Sequence, residues 1–260
     1  MINRATLHLN GLSADINSEL SLTDIDLQLR AGEVTAIIGP NGAGKTSLLR
    51  AICSELDCKS GRVEFDGLVM SDWNLHDRAS LLAILPQRST LDFPFTVREV
   101  VSLGRIPHET SQKYNNDIVW AALELVDCEQ FADRLYIHLS GGEKQRVQLA
   151  RVAAQIWEKQ SRNRCLILDE PSASLDLAHQ AMIVDMMKFF SEQGVAILAV
   201  LHDLNLASKC ADQICVLDQG KLVSCGSPDD VLTKEMLKQV FAIEAEVSVN
   251  QKDGSRLVIS

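Results

Sequence analysis

Several stretches of this sequence carry residue types that bind phosphate or activate water. The clearest is glycine-rich, ends in a lysine and two hydroxyl residues, and matches the pattern G-x-x-x-x-G-K-[ST] without a gap. It consists of Gly39, Pro40, Asn41, Gly42, Ala43, Gly44, Lys45, Thr46 and Ser47. In such a segment inward-pointing backbone N–H groups bind an anion, the lysine reaches the terminal phosphates, and the first hydroxyl ligates Mg²⁺. The motif predicts a nucleoside triphosphate site with a magnesium ion.

Two acids follow an apolar run later in the chain. Asp169 and Glu170 come directly after Leu166, Ile167 and Leu168. Asp169, at the end of a predicted strand, is suited to the Mg²⁺ shell, and Glu170 is suited to polarising an attacking water. Taken alone, the pair is equally consistent with a strand that ends in a solvated acidic turn.

Two further polar residues also end apolar runs. Gln87 follows the run 81–85 after one proline, and His202 follows the run 195–201. Each residue, by itself, is more typical of a solvated or structural position than of a catalytic one. Their roles therefore depend on what surrounds them.

A serine followed by two glycines opens a predicted amphipathic helix. Ser140 and Glu143 have the spacing of a capping box, which is a purely structural interpretation. A cap does not need Gly141 and Gly142, however, and bare N–H groups beside a serine hydroxyl also bind anions. Both interpretations can hold at once.

The elements around these residues indicate an α/β fold. A buried strand is predicted at 34–38 and a helix at 47–52, on either side of the glycine-rich segment. The continuous apolar runs that end at Asp169 and His202 are typical of parallel strands covered on both faces. Alternating apolar and polar residues before residue 30 predict antiparallel strands.

The domain organisation follows from a change in apolar spacing. From about residue 88 to 158 the apolar residues recur at helical spacing, which predicts a helical insertion. We therefore expect one domain over residues 1–260, with a core of 1–87 and 161–260 and a helical subdomain of 88–160. Strands are expected again within 213–224 and a short helix near 231–241.

Composition excludes several classes of protein. The net charge of −10 argues against a broad nucleic-acid-binding face, which needs clustered lysine and arginine. No apolar run approaches the roughly 20 residues of a membrane span. The seven cysteines are odd in number and lack a C-x-x-C spacing, so free thiols in a reducing cytosol are expected rather than a disulfide framework or a zinc site.

Taken together, the motifs resemble those of the ATP-binding-cassette ATPases over nearly the whole chain. The order is the glycine-rich segment, Gln87, Leu139–Glu143, the two acids, Ser172–Asp176 and His202. The Leu-Ser-Gly-Gly-Glu element is specific to that family among phosphate-loop proteins. The resemblance implies a phosphate-loop NTPase core with a parallel sheet, an N-terminal antiparallel β subdomain and an inserted α-helical subdomain. It also implies ATP and Mg²⁺ as ligands and ATP hydrolysis as the reaction.

In this family two subunits pack head to tail and share two ATP molecules. The resemblance implies that residues 39–47 of one subunit hold each ATP, together with Ser140, Gly141 and Gly142 of the other subunit. Asp176 would then lie at the dimer seam.

The resemblance also assigns catalytic roles. Glu170 would be the general base, and His202 would contact the γ-phosphate. Asp169 and Gln87 would organise Mg²⁺ and the attacking water, together with Thr46 on the metal.

One departure from the family pattern concerns the base of the nucleotide. The aromatic residue that usually stacks on adenine is missing, because no Phe, Tyr or Trp precedes Phe65 and the matching position is Ile16. Adenine would rest on aliphatic surface, without roughly 1 kcal/mol of stacking energy. A second departure, serine in Ser172-Ala173-Ser174 where threonine often stands, is expected to be harmless.

A finer resemblance concerns the transported substrate. The segments 85–88, 93–101 and 103–108 resemble the ATPases of bacterial iron–siderophore, cobalamin and haem importers, and are most similar to those of haem importers. This implies a homodimer that energises haem uptake through a permease dimer, at the cytoplasmic face of the inner membrane, with a periplasmic binding protein upstream. Siderophore or cobalamin import is the alternative, and a soluble scaffold ATPase is a further one.

Overall fold

The computed structural model describes residues 6–18, 20–87, 91, 93–158, 162–173 and 175–259 of the chain. The two ends predicted for the helical subdomain, residues 88 and 160, lie outside the described residues. Twelve strands are formed within the described part. They are β1 (Leu7–Asp15), β2 (Ser21–Leu29), β3 (Val34–Ile38), β4 (Cys58–Phe65), β5 (Leu68–Val69), β6 (Leu82–Leu85), β7 (Arg164–Asp169), β8 (Val195–Val200), β9 (Gln213–Asp218), β10 (Lys221–Gly226), β11 (Glu246–Val249) and β12 (Arg256–Ile259).

The same part of the chain forms nine α-helices and four short 3₁₀ turns. The helices are α1 (Lys45–Ile52), α2 (Leu75–Leu81), α3 (Val97–Ser102), α4 (Gln112–Leu125), α5 (Gly141–Gln155), α6 (Leu177–Glu192), α7 (Leu204–Cys210), α8 (Pro228–Val231) and α9 (Lys234–Phe241). The 3₁₀ turns are Met70–Asp72, Leu103–Arg105, Glu129–Phe131 and Tyr136–His138. No helix among the described residues is long and apolar enough to cross a membrane.

The central sheet has six strands in the order β10-β9-β3-β8-β7-β6. All of them run parallel except β10, which is antiparallel to β9. Every residue of β3, β7 and β8 is buried, as expected for apolar strands covered by other elements on both faces. Their carboxyl ends meet at one edge of the sheet, and the predicted site residues Asp169, Glu170 and His202 lie at this edge.

A second, antiparallel sheet has the order β2-β1-β4-β5. In β2 buried and exposed residues largely alternate, which matches the apolar and polar alternation in the sequence. The inner face of this sheet packs with α1 against one face of the central sheet, and together they enclose one of two hydrophobic cores. The prediction of N-terminal antiparallel strands is confirmed.

The helical segment lies on the other side. Helices α3, α4 and α5 pack against one another, and their apolar faces share the larger hydrophobic core with α6 and the central sheet. Because the helices and the sheet share one core, the division into a core of 1–87 and 161–260 and a subdomain of 88–160 stays a prediction.

Two features of the C-terminal region differ from expectation. The single helix expected near 231–241 is two helices, α8 and α9, separated by Leu232 and Thr233, the latter of which caps α9. The strands β11 and β12 form a two-stranded hairpin that was not predicted, since its residues show only weak alternation.

The prediction that all cysteines are free thiols is wrong. Cys215 and Cys225 form a disulfide between β9 and β10. They lie directly opposite each other in the antiparallel register, a proximity that sequence spacing alone did not indicate. Five cysteines are free, namely Cys53, Cys58, Cys128, Cys165 and Cys210.

Candidate functional site

The glycine-rich segment joins the end of β3 to the start of α1. At Gly39 an added Cβ atom would lie 2.0 Å from the carbonyl oxygen of Leu217 in β9, so no larger residue fits. Gly44, at the N-cap of α1, has a φ of 102°, which a residue with a side chain rarely adopts. The loop is therefore shaped by backbone contacts, and it leads from the sheet edge to the N-terminus of α1, where backbone N–H groups can bind an anion.

Lys45 is buried beneath this loop. Its Nζ donates hydrogen bonds to the carbonyl oxygens of Gly39 and Pro40, at 2.8 and 2.9 Å. Burial lowers the pKa of Lys45, and the nearby Glu170 and Asp169 carboxylates partly oppose that shift. The ammonium group is thus held by carbonyls of its own loop, from which a phosphate anion could draw it.

Asp169 ends β7 and is 3% exposed. Burial raises its pKa, and a hydrogen bond from the Thr46 hydroxyl opposes the shift. Its Oδ1 is buried and has no hydrogen-bond partner among the described residues. A buried carboxylate oxygen without a partner, beside a hydroxyl, fits a divalent cation that takes oxygen ligands.

Glu170 and His202 meet at the same sheet edge. The Nε2 atom of His202 lies 2.6 Å from Oε1 of Glu170. Burial raises the pKa of Glu170, but hydrogen bonds from His202 and Gln87 outweigh it, so the pKa lies below its usual value. Glu170 therefore carries a negative charge at neutral pH, as a residue that accepts a proton from water must. Its φ of 51° is a strained backbone conformation for a non-glycine residue.

A cavity of about 390 Å³ opens in front of this edge. Its lining comprises Ile16, Asn17, Leu20, Asn41, Gly42, Gly44, Lys45, Thr46, Ser47, Gln87, Glu170 and His202. Most of the predicted phosphate and catalytic residues are therefore brought together. A second cavity of about 250 Å³ adjoins it, since Thr46 and Gln87 line both, and Asp169 lines the second.

The turn between β1 and β2 also contributes to the lining of the larger cavity. Ile16, Asn17 and Leu20 form the turn between β1 and β2, and Oδ1 of Asn17 accepts the N–H of Leu20 at 2.9 Å. The Cδ1 atom of Ile16 lies 3.1 Å from where a Cβ atom of Gly44 would stand. Ile16 was predicted from the sequence, whereas Asn17 and Leu20 were not, although an asparagine between two alternating runs is a turn signal.

Eight predicted residues do not line the larger cavity. Gly39, Pro40 and Ala43 belong to the glycine-rich loop, and Asp169 lines the smaller cavity. The other four lie elsewhere. Ser140, Gly141 and Gly142 begin α5, and Asp176 caps α6. Ser140 and Glu143 form the capping box, with the N–H of Ser140 donating to Oε2 of Glu143 at 2.7 Å. The capping interpretation of Ser140 and Glu143 is thus confirmed. Ser140 and Asp176 are both solvent-exposed, and anion binding at the start of α5 stays a prediction.

Among the described residues, no group of three or more His, Cys, Asp or Glu side chains is arranged to hold a metal ion.

Comparison with protein families gives a match to the model for the ABC transporter family over residues 22–173. A protein of Pseudomonas fluorescens named hemin import ATP-binding protein is 46% identical over 239 residues, covering 92% of this chain and 93% of its own. A protein of the same name from Myxococcus xanthus is 45% identical over 245 residues, with coverage of 93% and 92%.

Solved structures give the same fold. A metal-chelate type ABC transporter in an inward-facing conformation superposes with a TM-score of 0.80 at 22% identity, covering 98% of this chain and 96% of its own. A subunit of an ABC transporter complex from Clostridium perfringens has a TM-score of 0.75 at 28% identity, with coverage of 90% and 92%. The predicted fold class, a phosphate-loop NTPase α/β fold, is confirmed.

Proposed function

Because the chain belongs to the ABC transporter family and is an ATPase of that family, we propose that it energises haem import through a membrane permease. The ATPase activity is supported above all by one observation, the convergence of Lys45, Thr46, Gln87, Glu170 and His202 on a single cavity. The substrate is supported by the relatives named for hemin import, which are 46% and 45% identical and cover more than nine tenths of the chain.

The proposed roles follow the geometry of the site. Residues 39–47 bind the phosphates through backbone N–H groups, and Lys45 leaves its loop carbonyls to contact the terminal phosphates. Thr46, Asp169 and Gln87 would hold Mg²⁺, which neutralises developing charge on the phosphates when bound. The partnerless Oδ1 of Asp169 is the observation that favours this assignment.

Glu170 is the proposed general base. Its carboxylate is ionised, is oriented by His202 at 2.6 Å, and faces the cavity beside Gln87. It can orient a water molecule toward the terminal phosphate and accept its proton. His202 holds the carboxylate in place and lies close enough to the cavity to contact the phosphate itself.

The site is completed, in this proposal, by a second copy of the chain. Ser140, Gly141 and Gly142 form a helix N-terminus that is exposed at Ser140 and Gly141 and is capped by Ser140 and Glu143 of the same chain. An added Cβ atom on Gly141 would meet no atom within 4 Å, so the glycine is not required by the fold of a single chain. A γ-phosphate bound to the other copy fits this helix N-terminus. Asp176, exposed at the start of α6, would lie at the seam.

The proposed permease would bind beside the smaller cavity. That cavity is lined largely by apolar atoms of Leu49, Ile84, Leu85 and Pro86, and it also touches Gln87 and Asp169. A cytoplasmic permease helix seated there would contact the residues next to the metal site. The chain would then lie at the cytoplasmic face of the inner membrane, with a periplasmic binding protein delivering the substrate to the permease.

The substrate is tested by reconstitution. The chain and its permease are placed in liposomes with the cognate binding protein, and ATP-dependent uptake of hemin, a ferric siderophore and cobalamin is compared. Uptake of hemin alone is expected. Uptake of only a siderophore or cobalamin would overturn the substrate assignment, and failure of the chain to associate with any permease would favour a scaffold ATPase.

A further inference from the structure

We propose that the C-terminal hairpin, β11 and β12, positions His202 for ATP hydrolysis, and that Asn205 is the positioning residue that links them. The inference rests on the proposed function, because His202 acts at the proposed ATP site. The hairpin lies outside residues 22–173, which the family model matches, and none of the motifs above includes it.

Asn205 lies in the first turn of α7 and contacts the hairpin at two points. Its Nδ2 donates to the carbonyl oxygen of Val258 at 3.2 Å, and its Oδ1 accepts the N–H of Val258 at 2.7 Å. The side-chain amide therefore pairs with β12 as the backbone of a neighbouring strand would. Two such bonds fix the orientation of α7 against the hairpin as well as the distance between them.

A second link lies one turn further along α7. The buried hydroxyl of Ser208 accepts the N–H of Arg256 at 2.7 Å. The side chain of Arg256 reaches in turn to Asp229 in α8, with Nε and Oδ1 2.6 Å apart. The strand β12 is thus bonded to two helices.

The hairpin is itself anchored in the protein. Its two faces differ, because Val247 and Val258 are paired on one face and pack against the larger core, while Ser248 is exposed on the other. The apolar contacts of the inner face hold β12 firmly enough to act as a support for α7.

The helix α7 transmits this support to the catalytic edge. Asp203 is its N-cap, and its carboxylate accepts the N–H groups of Asn205 and Leu206 at 2.8 and 3.1 Å. His202 directly precedes the cap and lies 2.6 Å from Glu170. A shift of the first turn of α7 would therefore move the imidazole away from the carboxylate, since a hydrogen bond of this length tolerates displacements of only a few tenths of an ångström.

The test compares the full-length wild type with Asn205→Ala in steady-state ATP hydrolysis. The variant is expected to lower kcat about tenfold and to leave the KM for ATP within about twofold, because the phosphate-binding loop is untouched. Ser248→Ala, on the exposed face of the same hairpin, is the matched control and is expected to keep wild-type kcat and KM.

A double-mutant cycle separates positioning from a merely structural role. If Asn205 acts through His202, the loss of kcat in Asn205→Ala disappears when His202→Ala is already present. Losses that multiply independently would overturn the proposal, and so would a wild-type kcat in Asn205→Ala accompanied only by a lower melting temperature. If Asn205→Ala does not fold, Ser208→Ala removes the second link and is subjected to the same cycle.

Hydrogen exchange tests the support of α7 by the hairpin independently of ATP hydrolysis. Backbone amides of 202–210 are expected to exchange faster in Asn205→Ala than in the wild type, whether or not the protein hydrolyses ATP. A wild type without ATPase activity would refute the proposed function alone. Unchanged exchange over 202–210 would refute the support by the hairpin.

Discussion

Two glycine-containing helix N-termini in this protein, those of α1 and α5, are built in opposite ways. The start of α1 is enclosed: Gly39 touches the backbone of β9, and Lys45 is buried beneath the loop. The start of α5 is open, with space around Gly141 and a cap made only by Ser140 and Glu143. In the proposed function, the first helix start binds phosphate within a single chain, whereas the second contributes to a site on another copy.

The largest expected effect is on the rate of ATP hydrolysis in the cavity beside the start of α1. Glu170→Gln is expected to lower the rate of ATP hydrolysis by about 10²–10⁴-fold and to trap an ATP-bound dimer, because an amide cannot accept the proton of water. Phosphate release and light scattering after chromatography with ATP measure the two outcomes. Glu192→Gln, on the exposed face of α6, is the control. An unchanged rate of ATP hydrolysis in Glu170→Gln would show that Glu170 is not the general base.

An added methyl group is expected to affect stability differently near the starts of α1 and α5. Gly39→Ala is expected to cost more than about 2 kcal/mol of unfolding free energy, since its Cβ would collide with the carbonyl of Leu217. Gly141→Ala is expected to leave stability within about 0.5 kcal/mol and yet to lower ATP hydrolysis, because the methyl group would stand between α5 and a phosphate of the other copy. Urea unfolding and ATPase assays on both variants check this. Full activity in Gly141→Ala would contradict the shared site.

A matched pair of caps separates capping from phosphate contact. Thr96 and Glu99 form a capping box at α3 like that of Ser140 and Glu143 at α5. Ser140→Ala and Thr96→Ala are each expected to cost about 1 kcal/mol of stability. Only Ser140→Ala is expected to lower ATP hydrolysis at saturating ATP by more than about tenfold, as loss of a donor to the transition state does. Equal rates of ATP hydrolysis in the two variants would show that Ser140 only caps α5.

The smallest expected effect is a pH dependence of the open helix start. Hydrogen bonds from the backbone and side chain of Ser140 lower the pKa of Glu143, so its contribution to stability is present above the unfolded pKa and is lost as pH falls through the folded one. Glu143→Gln keeps the capping geometry without titrating. Its unfolding free energy is therefore expected to fall slightly less than that of the wild type between pH 5 and pH 3.5, measured by urea unfolding. An identical fall in both proteins would contradict the assignment.

The parts of the site that depend on local sequence patterns could be predicted, whereas those that depend on contacts between distant elements could not. The glycine-rich segment, the capping box and the apolar strands are local patterns, and each was found where the sequence placed it. The Cys215–Cys225 disulfide and the hydrogen bonds between Asn205 and Val258 join residues from different elements. Local sequence spacing therefore could not predict them. In the turn that carries Ile16, Asn17 and Leu20, only Ile16 was predicted from the sequence, since the proximity of Ile16 to Gly44 depends on packing between distant elements.

By itself the sequence determined that a glycine-rich phosphate-loop motif follows a buried strand, that two acids end a later apolar strand, and that a capped helix begins with two glycines, since these depend on residue type and short-range spacing. Only the tertiary structure decided which of these residues share a cavity. Parallel strand order places Asp169, Glu170 and His202 at one edge of the sheet. It leaves Ser140 and Asp176 outside the cavity, since the capped starts of α5 and α6 are both exposed to solvent. The order of strands in a sheet is set by long-range packing of apolar faces, which short-range patterns do not encode.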